Sequence, residues 1–374
     1  MSAPDLQCDV VVIGAGIAGA SVAAFLAPHV RVALVEREPQ AGFHTTGRSA
    51  AMFMESYGPP QVRALTRASR HYLEQSTGWL SPRTAMFVAR ASQAPALAAL
   101  QAQLHADGVG HGSLRRLSTA QALQQVPALR AAAAHAALLD TSAADIDVHA
   151  LHQHFLGCVR ALGSTLHLGV ALQAIQRDGA TWNLEADDGR RWRAPVVVNA
   201  AGAWVDAVAA LAGVAPIGIQ PRRRSAFTFA PPPGMDVRGW PAVVGVDEDF
   251  YFKPDAGVLL GSPANADPVP PHDVVAEELD IATGIARIED ATTMSIRRPL
   301  RNWAGLRSFV ESGQLVGAFD AVTPGFFWCC GQGGYGIQTS PAMGQACAAR
   351  ILGRALPSTL TEQGLTPAQL DVAR

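Results

Sequence analysis

The sequence predicts an α/β protein: a parallel sheet flanked by helices, joined to a second, α+β region built on a large, mostly antiparallel sheet. Three observations predict it. Residues 10–13 and 31–35 read as short, mainly apolar strands of the kind buried on both faces in parallel sheets. A third such run, 195–199, again leads straight into a small-residue turn and a helix. Residues 221–300 instead alternate with period two between proline-rich loops, as in Ser225 to Ala230, Phe250 to Lys253 and Val258 to Gly261.

The first strand carries the strongest motif. Gly14, Gly16 and Gly19 follow Ile13 at G-x-G-x-x-G spacing. Gly14 permits the tight turn, Gly16 leaves bare backbone for a pyrophosphate, and Gly19 lets the helix pack closely on the strand. Ile17 and Ala18 open that helix, whose first N–H groups are free to face phosphate. The second strand ends in Glu36, followed by Arg37; a carboxylate there holds ribose hydroxyls and repels a 2′-phosphate. Strand, glycines, helix and acid in this order imply a Rossmann-type unit for an ADP-containing dinucleotide, against the plainer reading of a glycine-rich turn.

Whole-chain properties narrow the classes. A chain of 374 residues suggests two or three domains, and 49% hydrophobic against 16% charged residues describes a well-buried globular chain. A formal charge of −2 gives no electrostatic basis for nucleic-acid binding. Cys8, Cys158, Cys329, Cys330 and Cys347 form no C-x-x-C pair and read as reduced thiols of a cytoplasmic protein. Val10 to Pro28 is uncharged and nearly long enough to span a bilayer, but Asp5 and Asp9 precede it with no Lys or Arg. The glycine motif explains the run, and a soluble chain is expected.

Further along, Gly47-Arg48-Ser49-Ala50-Ala51 is a small, polar turn that would set backbone N–H groups and Arg48 beside a second phosphate; otherwise it is an ordinary capped helix start. Pro59-Pro60 open a helix to about Gln75. Between 81 and 140, Ala-rich helices (94–106, and 119–125 after Ser118) alternate with Gly and Pro breaks. His149, His152 and His154 suggest a metal site, yet no Cys or carboxylate cluster answers them; an Asp-capped amphipathic helix with exposed histidines is the plainer account, and no metal is expected. Leu166 to Ile175 and Thr181 to Ala186 read as strands, with a turn at Asp187-Asp188-Gly189. In Arg222-Arg223-Arg224, alternation puts Arg222 and Arg224 on one face, and pattern alone favours a solvated edge. Finally, Gly331-Gln-Gly333-Gly334-Tyr335-Gly336-Ile337-Gln338 links a strand to a helix. A second glycine turn so far from the first suits the distant end of a flavin cofactor better than a nicotinamide.

The opening unit, Thr46-Gly-Arg48-Ser49, Val198-Asn-Ala-Ala201-Gly202-Ala-Trp204, Trp303-Ala-Gly305-Leu-Arg307 and the Gly331 to Gln338 turn together resemble the D-amino-acid oxidase (DAO) superfamily of FAD-dependent oxidoreductases. Within it the chain is most similar to bacterial D-arginine dehydrogenases and related FAD-dependent D-amino-acid dehydrogenases. The resemblance implies an FAD domain from 1–80, 145–220 and 300–374 and a substrate domain from 81–144 and 221–299. Non-covalent FAD is implied as well, because no Cys stands near Leu306-Arg307, where some relatives tether flavin. Thr45, Val170 and Ala171 join the implied cofactor contacts. The family's carboxylate clamp falls on Arg224 and Arg307 with Tyr57 and Tyr251, while Gly305 and Gly334 would offer carbonyls to the substrate amine. Arginine forks and tyrosine hydroxyls suit a carboxylate.

Departures from that pattern shape the expected specificity. Arginine-preferring relatives carry a glutamate where this chain has Ala85, and polar residues where it has Met52 and Met54. A buried cationic side chain without its carboxylate costs several kcal/mol, of the order of a broken buried pair, whereas methionines make an adaptable apolar wall. The resemblance implies oxidative deamination of apolar D-amino acids, with hydride transfer to flavin N5 and a quinone-like electron acceptor, by a monomer or homodimer. Two alternatives stand beside it: an oxidase of the same fold using O₂ on glycine, sarcosine or D-amino acids, and an FAD-binding subunit without turnover.

Overall fold

The computed structural model describes residues 5–76, 78–109 and 112–372. Its centre is a six-stranded sheet in the order Thr165–His167, Val32–Val35, Val10–Ile13, Val196–Asn199, Phe326–Cys330, Val316–Phe319. The first five strands run parallel and only Val316–Phe319 is antiparallel. Every residue of Val10–Ile13 and Val32–Val35 is buried, which is why the sequence shows no polar alternation there. Helix Ile17–Leu26 packs on helix Gly336–Ile351 with almost no spacing, since a Cβ at Gly344 would stand 2.8 Å from Phe25. The two glycine turns are thereby brought to the same end of the sheet.

The expected strand 166–175 divides in two. Thr165–His167 joins the six-stranded sheet, the chain turns at Gly169 (φ 63°), and Leu172–Asp178 joins a four-stranded sheet with Thr181–Ala186. A left-handed turn interrupts the run, which hydrophobic patterning alone cannot register.

The nine-stranded sheet is antiparallel except where Ala242–Gly245 runs beside Ala85–Ala89. Its strands include Leu114–Ser118, Ala136–Asp140, Tyr251–Asp255 and Val258–Ser262. Strand Gln220–Phe229 is interior: it bonds to Val258–Ser262, Asp267–Pro268 and Arg301–Phe309. The basic run is therefore not a solvated edge. Arg223 is buried and ion-paired with Asp280 at 2.8 Å and with Glu277 on one face, while Arg222 and Arg224 share the other. Because Arg301–Phe309 pairs throughout with Gln220–Phe229, this sheet extends beyond residue 299. Met52–Phe53, Ala144–Ile146 and Leu80–Pro82 form a small third sheet. Against it, Lys253, the only lysine of the chain, is buried with its Nζ 2.7 Å from Asp145.

Helices Pro60–Glu74, Ala94–Ala106 and Thr119–Gln125 lie where the sequence places them, the last opened by Ser118 accepting the Gln121 N–H. Among the described residues no helix is long and apolar enough to cross a membrane, and no cluster of His, Cys, Asp and Glu is arranged to hold a metal ion.

Candidate active site

A cavity of about 370 Å³ runs from Gly14, Gly16 and Glu36 at one end to Arg224, Tyr251 and Arg307 at the other. At the first end the turn is as tight as the motif requires. A Cβ at Gly14 would lie 2.6 Å from the Ala200 carbonyl, and one at Gly19 1.9 Å from the Gly14 carbonyl. Gly14 adopts φ 101°, which only glycine accepts without strain. A Cβ at Gly16 would stand 3.2 Å from Thr46 Oγ1, tighter than ordinary contact, and that oxygen accepts the Ile17 N–H at 3.0 Å. Ile17 and Ala18 line the wall beside it.

Glu36 does more than wait for a ribose. Its Oε2 accepts the Ala15 N–H at 2.7 Å and its Oε1 the Glu38 N–H at 2.9 Å, so the acid holds the glycine loop in shape. On the opposite side His152 contacts the Ala15 carbonyl through Nε2 at 2.9 Å. His152 is buried, not exposed as the helix pattern suggested, and burial pulls its pKa down. His154 is half-buried too, 3.0 Å from the Tyr72 hydroxyl, and only His149 is exposed; the inward turn of His152 is a tertiary effect, and its pairing partner lies 137 positions away.

Along the cavity Arg37, Thr45, Thr46, Arg48, Ser49 and Ala50 form one side, and Val170, Ala201, Gly202 and Trp204 another. Arg37 stands over the Trp204 ring, 4.8 Å from its centroid. Arg48 braces the wall: its guanidinium donates to Val274 and Ala304 carbonyls at 2.8 and 3.2 Å and pairs with Asp273. Thr45 Oγ1 donates to the Leu306 carbonyl at 2.7 Å, tying this turn to the strand that carries Arg307. Gly47, Ala51 and Ala171 work behind the wall through backbone bonds to Gly42, Ile146 and Asp187. Sequence reasoning passed over Phe43, His44 and Leu172, which also line the cavity; Phe43 and His44 stand in a loop that carries no periodic signal, and Leu172 opens a strand.

The second glycine turn closes the far end. Gly333, Gly334, Gly336 and Ile337 line it. Gly331 (φ 75°) and Gly333 (φ 51°) make the turn, and helix Gly336–Ile351 begins there with its positive dipole end. Gln338 lies behind: its Oε1 accepts the Met54 N–H at 3.1 Å and its Nε2 donates to Thr66 Oγ1 at 3.0 Å. Tyr335 is packed edge-on to Tyr57 with ring centroids 5.2 Å apart, and burial raises its pKa so that the hydroxyl stays protonated.

The strand pairing assembles the clamp. Arg222 lies opposite Arg307 and Arg224 opposite Gly305, so Arg224, Gly305 and Arg307 occupy one face of the sheet. Gly305 has only the Arg48 Cβ near its own Cβ position, at 3.6 Å, leaving space between the guanidinium groups. Arg307 Nη1 donates to the Tyr57 hydroxyl at 3.2 Å, and Arg224 Nε donates to the Asn265 carbonyl at 2.5 Å. Burial and the positive charge of Arg307 both push the Arg224 pKa down. None of the ion pairs within 4.0 Å among the described residues involves Arg224 or Arg307. Two half-buried like charges with no carboxylate within ion-pair distance make a strong site for a carboxylate ligand.

Met52, Tyr57, Val244 and Val246 are half-buried around a core of Met54, Ala85 and Phe87. Val244 pairs with Tyr251, which sequence alternation alone did not connect to the site. Ala85 is fully buried between Ala242 and Asp140, and Met54 is 5% exposed.

The donor and acceptor set fits a dinucleotide with a long, flat distal ring: bare glycine backbone at both ends, a carboxylate at Glu36, and a helix start at Gly336. Residues 9–350 match the sequence profile of the FAD-dependent oxidoreductase (DAO) family. Solved structures agree in fold. Glycine oxidase from Geobacillus kaustophilus superposes with a TM-score of 0.82 at 21% identity, covering 99% of both chains. L-α-glycerophosphate oxidase from Mycoplasma pneumoniae with FAD bound gives 0.85 at 16%, covering 94% of this chain and 96% of the other. L-amino acid deaminase from Proteus vulgaris with its specific insertion sequence deleted gives 0.80 at 16%, covering 100% and 95%.

Proposed function

This chain belongs to the DAO family of FAD-dependent oxidoreductases, and we propose that within it the protein oxidatively deaminates D-amino acids with apolar side chains, passing electrons to a quinone-like acceptor. The observation that carries the reading is the half-buried Arg224 and Arg307 pair, which faces the cofactor cavity with no carboxylate within ion-pair distance among the described residues. In this reading the substrate carboxylate bridges the two guanidinium groups and the Tyr57 and Tyr251 hydroxyls fix its angle. The Gly305 and Gly334 carbonyls accept from the α-amine, orienting the Cα–H bond towards the cofactor. Gly14, Gly16, Glu36 and the turn at Gly333, Gly334 and Gly336 would hold FAD, which would supply the hydride acceptor. Released imino acid then adds water to give a 2-oxo acid and ammonia. The start of helix Gly336–Ile351 supplies a positive dipole where negative charge accumulates. No cysteine lines the cavity among the described residues, which favours non-covalent FAD.

Half-buried Met52 and Val244, packed on the same apolar cluster as Tyr57, support an apolar side-chain preference. The division into an FAD unit (1–80, 145–220, 300–374) and a substrate unit (81–144, 221–299) is proposed with one adjustment: strand Arg301–Phe309 serves both, bringing Arg307 from the sheet of one to the cavity of the other. Anaerobic addition of an amino-acid panel to the holoenzyme tests the function through flavin bleaching. D-Leu is expected to bleach with a higher kcat/KM than D-Arg; a clear D-Arg advantage overturns the side-chain reading, and no bleaching by any D-amino acid overturns the function. In air, peroxide formed at the rate of turnover would assign an O₂-using oxidase instead.

A further inference from the structure

A second cavity, of about 290 Å³, lies behind the clamp, lined by Ser56, Gly58, Arg63, Gln103, Glu248 and Tyr335 among others. A tyrosine pair links the two cavities. Tyr335 lines the second cavity and packs on Tyr57, which accepts from Arg307 in the first. Gly58, next in sequence to Tyr57, would place a Cβ 3.0 Å from the Tyr335 ring, so this junction is closely fitted.

Two charged groups of the second cavity are unusual. Arg63 is 3% exposed; its Nη atoms are engaged by Asp107 and the Gly58 carbonyl, but its buried Nε has no partner. A buried guanidinium N–H without an acceptor costs free energy that a bound carboxylate recovers. Glu248 holds φ 53°, strained for a residue with a side chain. Its surface is open to solvent, yet enough protein surrounds the carboxyl that burial raises its pKa against the pull of Arg224 and Arg307. A carboxyl kept in a strained backbone, within electrostatic reach of the clamp, has no ion-pair partner within 4.0 Å among the described residues.

We infer that this second cavity is an outer binding station for zwitterionic amino acids, in which Arg63 takes the carboxylate and Glu248 the ammonium before the ligand passes the Tyr57–Tyr335 pair to the clamp. The inference rests on the amino-acid reading of the clamp. It assigns Glu248 and Arg63 to substrate capture and gives them no part in hydride transfer.

Stopped-flow anaerobic bleaching of the holoenzyme by D-Leu separates the steps. Glu248→Gln is expected to raise the half-saturating D-Leu concentration about fivefold, the worth of one partly exposed charge pair, with the limiting bleaching rate unchanged. Gln103→Leu, on the exposed rim, is expected to shift half-saturation in the same direction by less. It serves as the second probe where Arg63→Gln fails to fold. Unchanged half-saturation in Glu248→Gln overturns the station, and so does a slowed limiting rate, which would place Glu248 at the reacting substrate. If D-Leu and the rest of the panel fail to bleach the wild-type flavin, the clamp reading fails first, and the two failures are thereby distinguished.

Discussion

Gly334→Ala isolates the position of Arg307 from its charge. Gly334 is not among the glycines with positive φ, so its backbone accepts alanine. The added Cβ, however, would stand 2.6 Å from Arg307 Nη1, 2.7 Å from Cζ and 2.9 Å from Nε. Ordinary contact begins at 3.4 Å, so the guanidinium must retreat by roughly 0.8 Å in a closely packed surround. That retreat acts on the 3.2 Å bond to Tyr57 and on the gap to Arg224. A positioning error of about 1 Å costs on the order of 10²-fold in rate, and the expected result is a loss of that size in kcat/KM for every amino-acid substrate. The assay is anaerobic bleaching with the flavin spectrum confirming a loaded, folded enzyme. Gly157→Ala is the control: it lies in helix Val148–Ala161 with nothing within 4 Å of its Cβ position. Wild-type kinetics in Gly334→Ala would refute the claim that the second glycine turn sets the clamp geometry.

Four further outcomes are expected. Arg307→Met should weaken binding of all amino acids alike, whatever the side chain; selective damage in a substrate panel would remove Arg307 from the carboxylate clamp. His152→Ala should release FAD more easily by about 1 kcal/mol, or fivefold in Kd, read from flavin fluorescence, with His152→Gln recovering part of it; equal retention in all three proteins contradicts a role in holding Ala15. Burial lowers the folded-state pKa of His152 and His167 from an ordinary 6.5, so the unfolded chain binds protons first as pH falls. Their contribution to stability is therefore complete above that value and lost below it; urea midpoints should drop on acidification, and His152→Gln should flatten the drop. Ala85→Glu places a second carboxyl opposite fully buried Asp140. It should destabilise the fold by several kcal/mol, and a stable variant with new D-Arg preference would show that this strand reaches the substrate.

The sequence was most legible where local chemistry and tertiary role coincide. Gly14, Gly16, Gly19 and Glu36 announce their cradle because strand, glycines, helix and acid stand in order within about 30 residues, even though the backbone that crowds Gly14 is that of Ala200. Helix Thr119–Gln125 is similar, since Ser118 and Gln121 complete a cap within one turn. Arg224 marks the limit. Its run of three arginines reads as a surface edge, and only pairing with Arg301–Phe309, some 80 positions on, turns one face inward. Glu248 and Arg63 were not legible at all: their chemistry depends on a cavity between segments almost 200 residues apart. His152 failed for the same reason, its helical pattern giving a face but not what that face meets.

The solitary lysine has a consequence for handling the molecule. Every other basic side chain apart from the histidines is arginine, and the one ε-amine is 6% exposed and bound to Asp145. Reagents that attack amines, whether fluorescent esters, bifunctional linkers or aldehydes, therefore meet no side-chain target on the folded surface. Labelling of Lys253 should appear only as the protein opens, so acylation of that one side chain, separated from the α-amine by peptide mapping, reports unfolding.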